Sequence, residues 1–129
     1  GAAKSYYSAA MPLLGFQEFL STEDQFAYRP AGGKPGTYLF FYPAFFYPAA
    51  EKALYSRHQT GLQHLALMVR TRTAVKTIHQ TIEELAPRFG GRVLHEPQRF
   101  PQYPQPYFAT FRLDPWGFML EAVCHHDRA

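Results

Sequence analysis

The stretch from residue 61 onward leaves few folds open to this chain. Residues 61–69 alternate between two faces, with Gln63, Leu65, Leu67 and Val69 on one and Leu62, His64, Ala66 and Met68 on the other. A helix is predicted next, over 73–85. Val75, Ile78, Ile82, Leu85 and Phe89 recur at helical spacing, and Lys76, Gln80, Glu83 and Glu84 fill the wet side. Pro87 and the Gly90-Gly91 pair are expected to end it. A short strand over 92–96 then enters a proline-rich loop, 97–106. Two further strands, 107–113 and 118–125, form a hairpin about Asp114-Pro-Trp-Gly117, whose proline and glycine suit a β-turn. The order is β-α-β-β-β.

The first half reads as the same unit without its opening strand. Tyr6 or Tyr7, Ala10 and Leu14 give helical spacing over 3–14, with Gly15 as a stop. Strands follow over 16–22 and 26–29, then a turn-rich loop, 31–36, and an aromatic strand, 37–42. The opening strand would have to precede Gly1. Between the halves, Phe-Phe-Tyr-Pro-Ala occurs twice in tandem, at 40–44 and 45–49, a small insertion of the kind that connections tolerate. The expected organisation is α+β in one domain, 1–129, with module one at 1–44, a linker at 45–60 and module two at 61–126.

Bulk properties exclude more than they select. At 129 residues with 47% hydrophobic and 18% charged, the chain can bury a core as a single domain. A net charge of +3 comes from basic residues spread along the chain, which argues against nucleic-acid binding. No apolar run approaches a membrane span and no signal-peptide pattern opens the chain. Cys124 is the single cysteine, so an intrachain disulfide is impossible and the expected location is the cytoplasm. Aromatic residues at 17% suit either a large apolar cavity or an aromatic core.

Against that background His64 and Glu121 stand out, because each interrupts an otherwise apolar strand. A divalent metal held by imidazole and carboxylate, with open positions, polarises a carbonyl or chelates neighbouring oxygens. The plainer account is a satisfied histidine in a cavity wall and a glutamate paired with Arg112 or His64, since a lone buried charge is costly. His125 and His126 are expected to be solvent-exposed in a polar tail, and His79 to be structural. His95, beside Glu96, is within reach of a cavity mouth. On the strand 37–42, Tyr38, Phe40 and Tyr42 share one face and Leu39 and Phe41 the other, so one set packs and the other is free to line a cavity.

These features together resemble the vicinal oxygen chelate superfamily, which includes glyoxalase I, bleomycin-resistance proteins and extradiol dioxygenases. The cues are Gly61-Leu-Gln-His64-Leu-Ala-Leu, the helix, Gly90-Gly-Arg-Val93, and the run from Tyr107 through Asp114-Pro-Trp-Gly117 to Glu121. In the first half, residues 2–7 followed by Leu13-Leu-Gly-Phe16 look like the family's first helix. The resemblance implies two βαβββ modules, the first lacking its opening strand here, whose curved mixed sheets enclose a cavity. It also implies metal ligands from the first and last strands of each module. Carried over, His64 and Glu121 are the ligands of module two, with Glu121 also the catalytic residue. Tyr38, Phe40, Tyr42, Ala66, Met68 and Met119 become cavity-lining positions. Module one departs from the pattern, since Phe40 stands where its last-strand ligand would be.

Two functions follow from the resemblance. One is a glyoxalase- or dioxygenase-like enzyme, a lyase or dioxygenase acting on a small molecule with neighbouring oxygens and using one divalent metal, zinc, nickel, manganese or iron(II). The other is a metal-free protein of the bleomycin-resistance kind that binds an aromatic or planar small molecule without turnover. Strand edges left unpaired in the first half would need a partner, and a homodimer is the expected assembly.

Overall fold

The computed structural model describes residues 1–43 and 54–129, and the chain divides into two compact units, Gly1–Leu54 and Tyr55–Ala129. In the first unit, helix α1 (Ala2–Ala10) passes into a 3-10 turn over Met11–Leu14, so the helix expected over 3–14 changes character in its last turn. Pro12 is the reason, since its ring nitrogen cannot donate into a continuing α-helical ladder. Gly15, at φ 84°, then reverses the chain. Strands β1 (Phe16–Ser21), β2 (Phe26–Pro30) and β3 (Leu39–Phe41) form an antiparallel sheet in that order.

Alternation along β3 decides what this unit buries. Phe41 stacks on Phe26 with ring centroids 4.6 Å apart and meets Tyr7 of α1 at 4.6 Å. Tyr6, Tyr7, Ala10 and Met11 of the helical segment and Tyr28 of β2 complete the core, while Ala27, opposite Phe40, is buried on the other face. Tyr38, Phe40 and Tyr42 face the other way and are 52%, 48% and 68% exposed. The inward set is therefore Leu39 and Phe41.

In the second unit, strand β4 (Leu65–Val69) leads to helix α2 (Arg72–Phe89), then β5 (Arg92–Arg99), β6 (Phe108–Leu113) and β7 (Met119–Cys124). The sheet order is β4-β7-β6-β5, with β4 parallel to β7 and the remaining pairs antiparallel. This is the β-α-β-β-β order read from the sequence. With a three-stranded and a four-stranded sheet and two α-helices among the described residues, the architecture is mixed α+β.

In this unit three boundaries differ from expectation by three residues or more, each for a local reason. Helix α2 runs through Pro87 to Phe89, because a proline in the last turn gives up one hydrogen bond and the Gly90 amide still closes on Ala86 O at 2.8 Å. Its N-terminus is capped by Thr71, whose hydroxyl accepts from the Ala74 amide at 3.0 Å. Strand β5 extends to Arg99, past Pro97. It is an edge strand with register shifts on both sides of His95, where a missing amide is tolerated. Strand β4 begins only at Leu65. The preceding segment is engaged elsewhere, with Leu62 O accepting from the Tyr55 hydroxyl at 2.7 Å.

Helix α2 buries Val75, Ile78 and Ile82 against one face of the sheet. On that side Arg112 is 3% exposed and pairs with Glu83 of α2 at 3.0 Å. The opposite face gathers Phe100, Ala109, Phe111 and Val123, with Leu94, Tyr107 and Met119 packed against them. Among the described residues no helix is long and apolar enough to cross a membrane. The tandem repeat at 40–49 falls largely outside the described residues, as does the part of the 45–60 linker up to residue 53.

Candidate functional site

The turn between β6 and β7 sets the position of Glu121. Asp114 is 2% exposed, and its carboxylate Oδ1 accepts from the Trp116 and Phe118 amides, each at 2.9 Å. The backbone closes beside it, with Asp114 N donating to Phe118 O at 2.8 Å. Gly117 has φ 93°, and a Cβ built there would lie 2.0 Å from Tyr55 O. The Asp-Pro-Trp-Gly sequence thus combines an aspartate that folds the turn on itself with a glycine that lets residue 55 cross over it. Tyr55 is fastened there by its amide bond to Trp116 O, 2.8 Å, and by stacking on Phe118 at 4.5 Å.

From that turn the register runs Leu113↔Met119 to Phe108↔Cys124, placing Glu121 opposite Phe111 on β6 and beside Ala66 on β4. Glu121 therefore shares the Phe111 face, and Arg112 the helix face. Of the two partners considered for Glu121, the sheet selects His64, while Arg112 is taken by Glu83.

Glu121 is 2% exposed, and both of its carboxylate oxygens have partners. Oε1 lies 3.0 Å from His64 Nε2. Oε2 accepts from the Tyr107 hydroxyl at 2.5 Å. The other ring nitrogen of His64, Nδ1, meets Gln63 Oε1, and Gln63 Nε2 in turn lies 3.7 Å from Met119 Sδ. The result is a polar line from Gln63 through His64 and Glu121 to Tyr107, set in an apolar face. The His64 ring leans on Phe111 with centroids 5.8 Å apart, and His95 meets the same phenylalanine at 5.6 Å.

Tyr107 is the member that sequence reasoning missed. Its phenol is held well above the usual tyrosine pKa, first by burial and then by its hydrogen bond to Glu121. Its ring is hemmed by Tyr103 at 4.9 Å, His125 at 4.9 Å and Phe100 at 6.0 Å. A signal was present, since residues 107, 109 and 111 alternate onto one face and the register places Phe111 against Glu121. Tyr103 belongs to the proline-rich segment, which is drawn together by Gln105 Nε2 donating to Phe100 O and Tyr103 O, each at 2.7 Å.

The other expected lining residues divide by unit. Ala66 and Met68 lie on the Glu121 side of β4 and are exposed, Met68 at 72%, whereas Met119 is half-buried in the apolar cluster beside Gln63. Tyr38, Phe40 and Tyr42 form an exposed aromatic row, and Phe19 of β1 joins it, 5.3 Å from Tyr38 and 5.7 Å from Phe40. His125 and His126 are exposed, although the His125 ring rests on Tyr107. His79 has a buried Nδ1 on the helix. Cys124 is fully buried.

A divalent ion would find two protein donors in this unit, His64 Nε2 and Glu121 Oε1. Among the described residues no three histidine, cysteine, aspartate or glutamate side chains gather closely enough to form a fuller set. The two donors do fit one edge of a coordination sphere. Ligand atoms about 2.1 Å from a common ion and at right angles to one another, as in octahedral sites, stand about 3.0 Å apart.

No family model matches the chain, and no curated protein does either. Solved structures do. A protein of Bacillus halodurans assigned to the glyoxalases superimposes over 95% of this chain and 85% of its own, with a TM-score of 0.70 and 25% identity. A glyoxalase/bleomycin resistance protein from Albidiferax ferrireducens matches over 97% and 88%, with a TM-score of 0.69 and 16% identity. A glyoxalase/bleomycin resistance protein/dioxygenase family enzyme from Burkholderia phytofirmans matches over 97% and 89%, with a TM-score of 0.65 and 15% identity. The structural neighbours are thus proteins of the vicinal oxygen chelate superfamily, and the two-sheet α+β architecture is consistent with that fold.

Proposed function

We propose that this chain is a small-molecule enzyme of the glyoxalase or dioxygenase type, in which His64 and Glu121 supply two donors to a divalent metal. The observation that carries the reading is the 3.0 Å approach of His64 Nε2 to Glu121 Oε1, on an otherwise apolar sheet face. A glutamate 2% exposed in a central strand needs a cation or a donor set to offset its desolvation. When bound, the metal supplies Lewis-acid polarisation of a substrate bearing neighbouring oxygens. The chain's own residues do the rest. Tyr107 holds Oε2, Gln63 holds the far side of the imidazole, and Phe111 packs against the imidazole ring.

The test is metal retention. The full chain, treated with chelator and reloaded separately with zinc, nickel, manganese and iron(II), should retain one of them at near one equivalent after desalting. Glu121→Ala should retain less than a tenth of that. A wild-type chain that keeps no metal under any of the four conditions defeats this reading.

A second reading rests on a separate observation. Both oxygens of Glu121 already have protein partners, and the row Tyr38, Phe40, Tyr42 offers exposed ring faces for stacking. This supports a metal-free protein that binds an aromatic or planar small molecule without turnover. Ligand binding that persists in Glu121→Ala, found by a thermal-shift screen of planar compounds, favours this second function.

A further inference from the structure

We infer that Tyr107 is a positioning residue that commits Glu121 to a single donor oxygen. The inference rests on the reading of His64 and Glu121 as a ligand pair and adds to it a residue that neither the motif nor the fold assigns.

A carboxylate in a strand rotates about its last side-chain bond at little cost, so its two oxygens are interchangeable unless something distinguishes them. Here the distinction is built in. Oε2 receives the Tyr107 hydroxyl, while Oε1 faces His64 Nε2 at 3.0 Å. A hydroxyl donating to a carboxylate is a charge-assisted hydrogen bond, among the stronger kinds a side chain makes, and the burial of Glu121 strengthens it.

The ring that brings this hydroxyl is itself fixed. Tyr103, Phe100 and His125 surround it at 4.9 to 6.0 Å, and the Phe100 amide donates to Tyr107 O at 3.0 Å. Rotating the phenol away from Glu121 would break these contacts together. The segment between β5 and β6, which reads in sequence as a proline-rich loop, thereby acts on the glutamate through Tyr107. Groups that orient a metal ligand from behind are worth roughly tenfold to a hundredfold in affinity.

The experiment compares the wild-type chain with Tyr107→Phe, which keeps the ring and its contacts and removes only the hydroxyl. The first readout is the carboxylate stretching region of the infrared spectrum of the metal-free protein, with Glu121→Gln identifying the Glu121 bands. Removal of the donor from Oε2 should shift those bands. The second is titration with cobalt(II) chloride, followed by visible absorption. Tyr107→Phe should bind about tenfold or more weakly, with an altered visible spectrum reporting a changed ligand set. Unchanged Glu121 bands in Tyr107→Phe overturn the inference, as does cobalt binding of unchanged affinity and spectrum. If the wild-type chain binds neither cobalt nor any of the four metals named above, the ligand-pair reading fails and the committed-oxygen inference falls with it. A band shift would then still establish the hydrogen bond, which separates the two failures. A Tyr107→Phe chain with a wild-type circular dichroism spectrum keeps any loss from being one of folding.

Discussion

The last strands of the two units answer the same local problem in opposite ways. In the first unit β3 turns Leu39 and Phe41 inward and leaves Phe40 half exposed among other aromatic rings. In the second, β7 places Glu121 at the matching point past its turn and buries it at 2% exposure. The difference lies in what surrounds each strand. β7 is bonded on both sides, by β4 and by β6, and the residue just before each of those strands, His64 and Tyr107, partners the carboxylate. Among the described residues β3 pairs with β2 alone, over three residues, and Phe40 meets the rings of Phe19 and Tyr42. A charge is sustained on an apolar sheet where neighbouring elements bring its partners, and an aromatic face stands where they do not.

The sharpest way to break this comparison is within β3. Phe41→Glu removes a ring stacked on Phe26 and tilted against Tyr7 and puts a carboxylate into the core, and should cost about 3 kcal/mol or more. Phe40→Glu, one residue away on the exposed face, should cost under about 1 kcal/mol. Urea denaturation of the two variants distinguishes them, and equal losses would mean that the two faces are wrongly assigned.

The turn that feeds β7 comes next. Gly117→Ala puts a methyl group 2.0 Å from Tyr55 O at a backbone angle that alanine disfavours. It should cost about 2–3 kcal/mol and loosen the anchorage of Tyr55, seen as faster hydrogen exchange at the Tyr55 amide. An unperturbed melting temperature and exchange rate would show that residue 55 does not cross there.

The smallest effect is on pH dependence, and it has the same sign in both units. Tyr28 is raised by burial and then by Glu18, and Tyr107 by burial and then by Glu121. A phenol whose folded pKa lies above its unfolded value holds its proton more tightly in the native state. Its contribution is therefore complete below about pH 10 and is lost as pH rises toward the folded value. Ultraviolet titration should show Tyr28 and Tyr107 ionising above the usual tyrosine range, and Tyr107→Phe should make the alkaline loss of stability shallower. A phenol count that ionises together near pH 10 would contradict both environments.

Much of the second unit was legible in its residues. The helical spacing of Val75, Ile78 and Ile82, the alternation around Leu65 and Leu67, and the Asp114-to-Gly117 turn are local patterns, and local patterns are written in the chain itself. The boundaries that moved, at Ala10, Leu65, Phe89 and Arg99, each depended on something beyond the local pattern. Pro12 changed a helical turn, Tyr55 occupied Leu62, the last turn of α2 absorbed Pro87, and an edge position accommodated Pro97.

The site divides in the same manner. That His64 and Glu121 were out of place among apolar residues was visible from periodicity alone, because a polar residue on an apolar face breaks a pattern that spacing defines. Which partner each would take was not visible. Arg112 stood one register step from Phe111 and was an equally good mate for Glu121 until the pleat put it on the helix side with Glu83. Tyr107 lay fourteen residues away behind a run of prolines, and only the closing of that segment over Phe100 brought its hydroxyl to the carboxylate. Sequence by itself determined the succession of elements and the two residues that chemistry would single out, since both follow from short-range spacing. Tertiary structure alone decided how the carboxylate is held, since hydrogen bonds between distant residues depend on register and ring packing that no local pattern encodes.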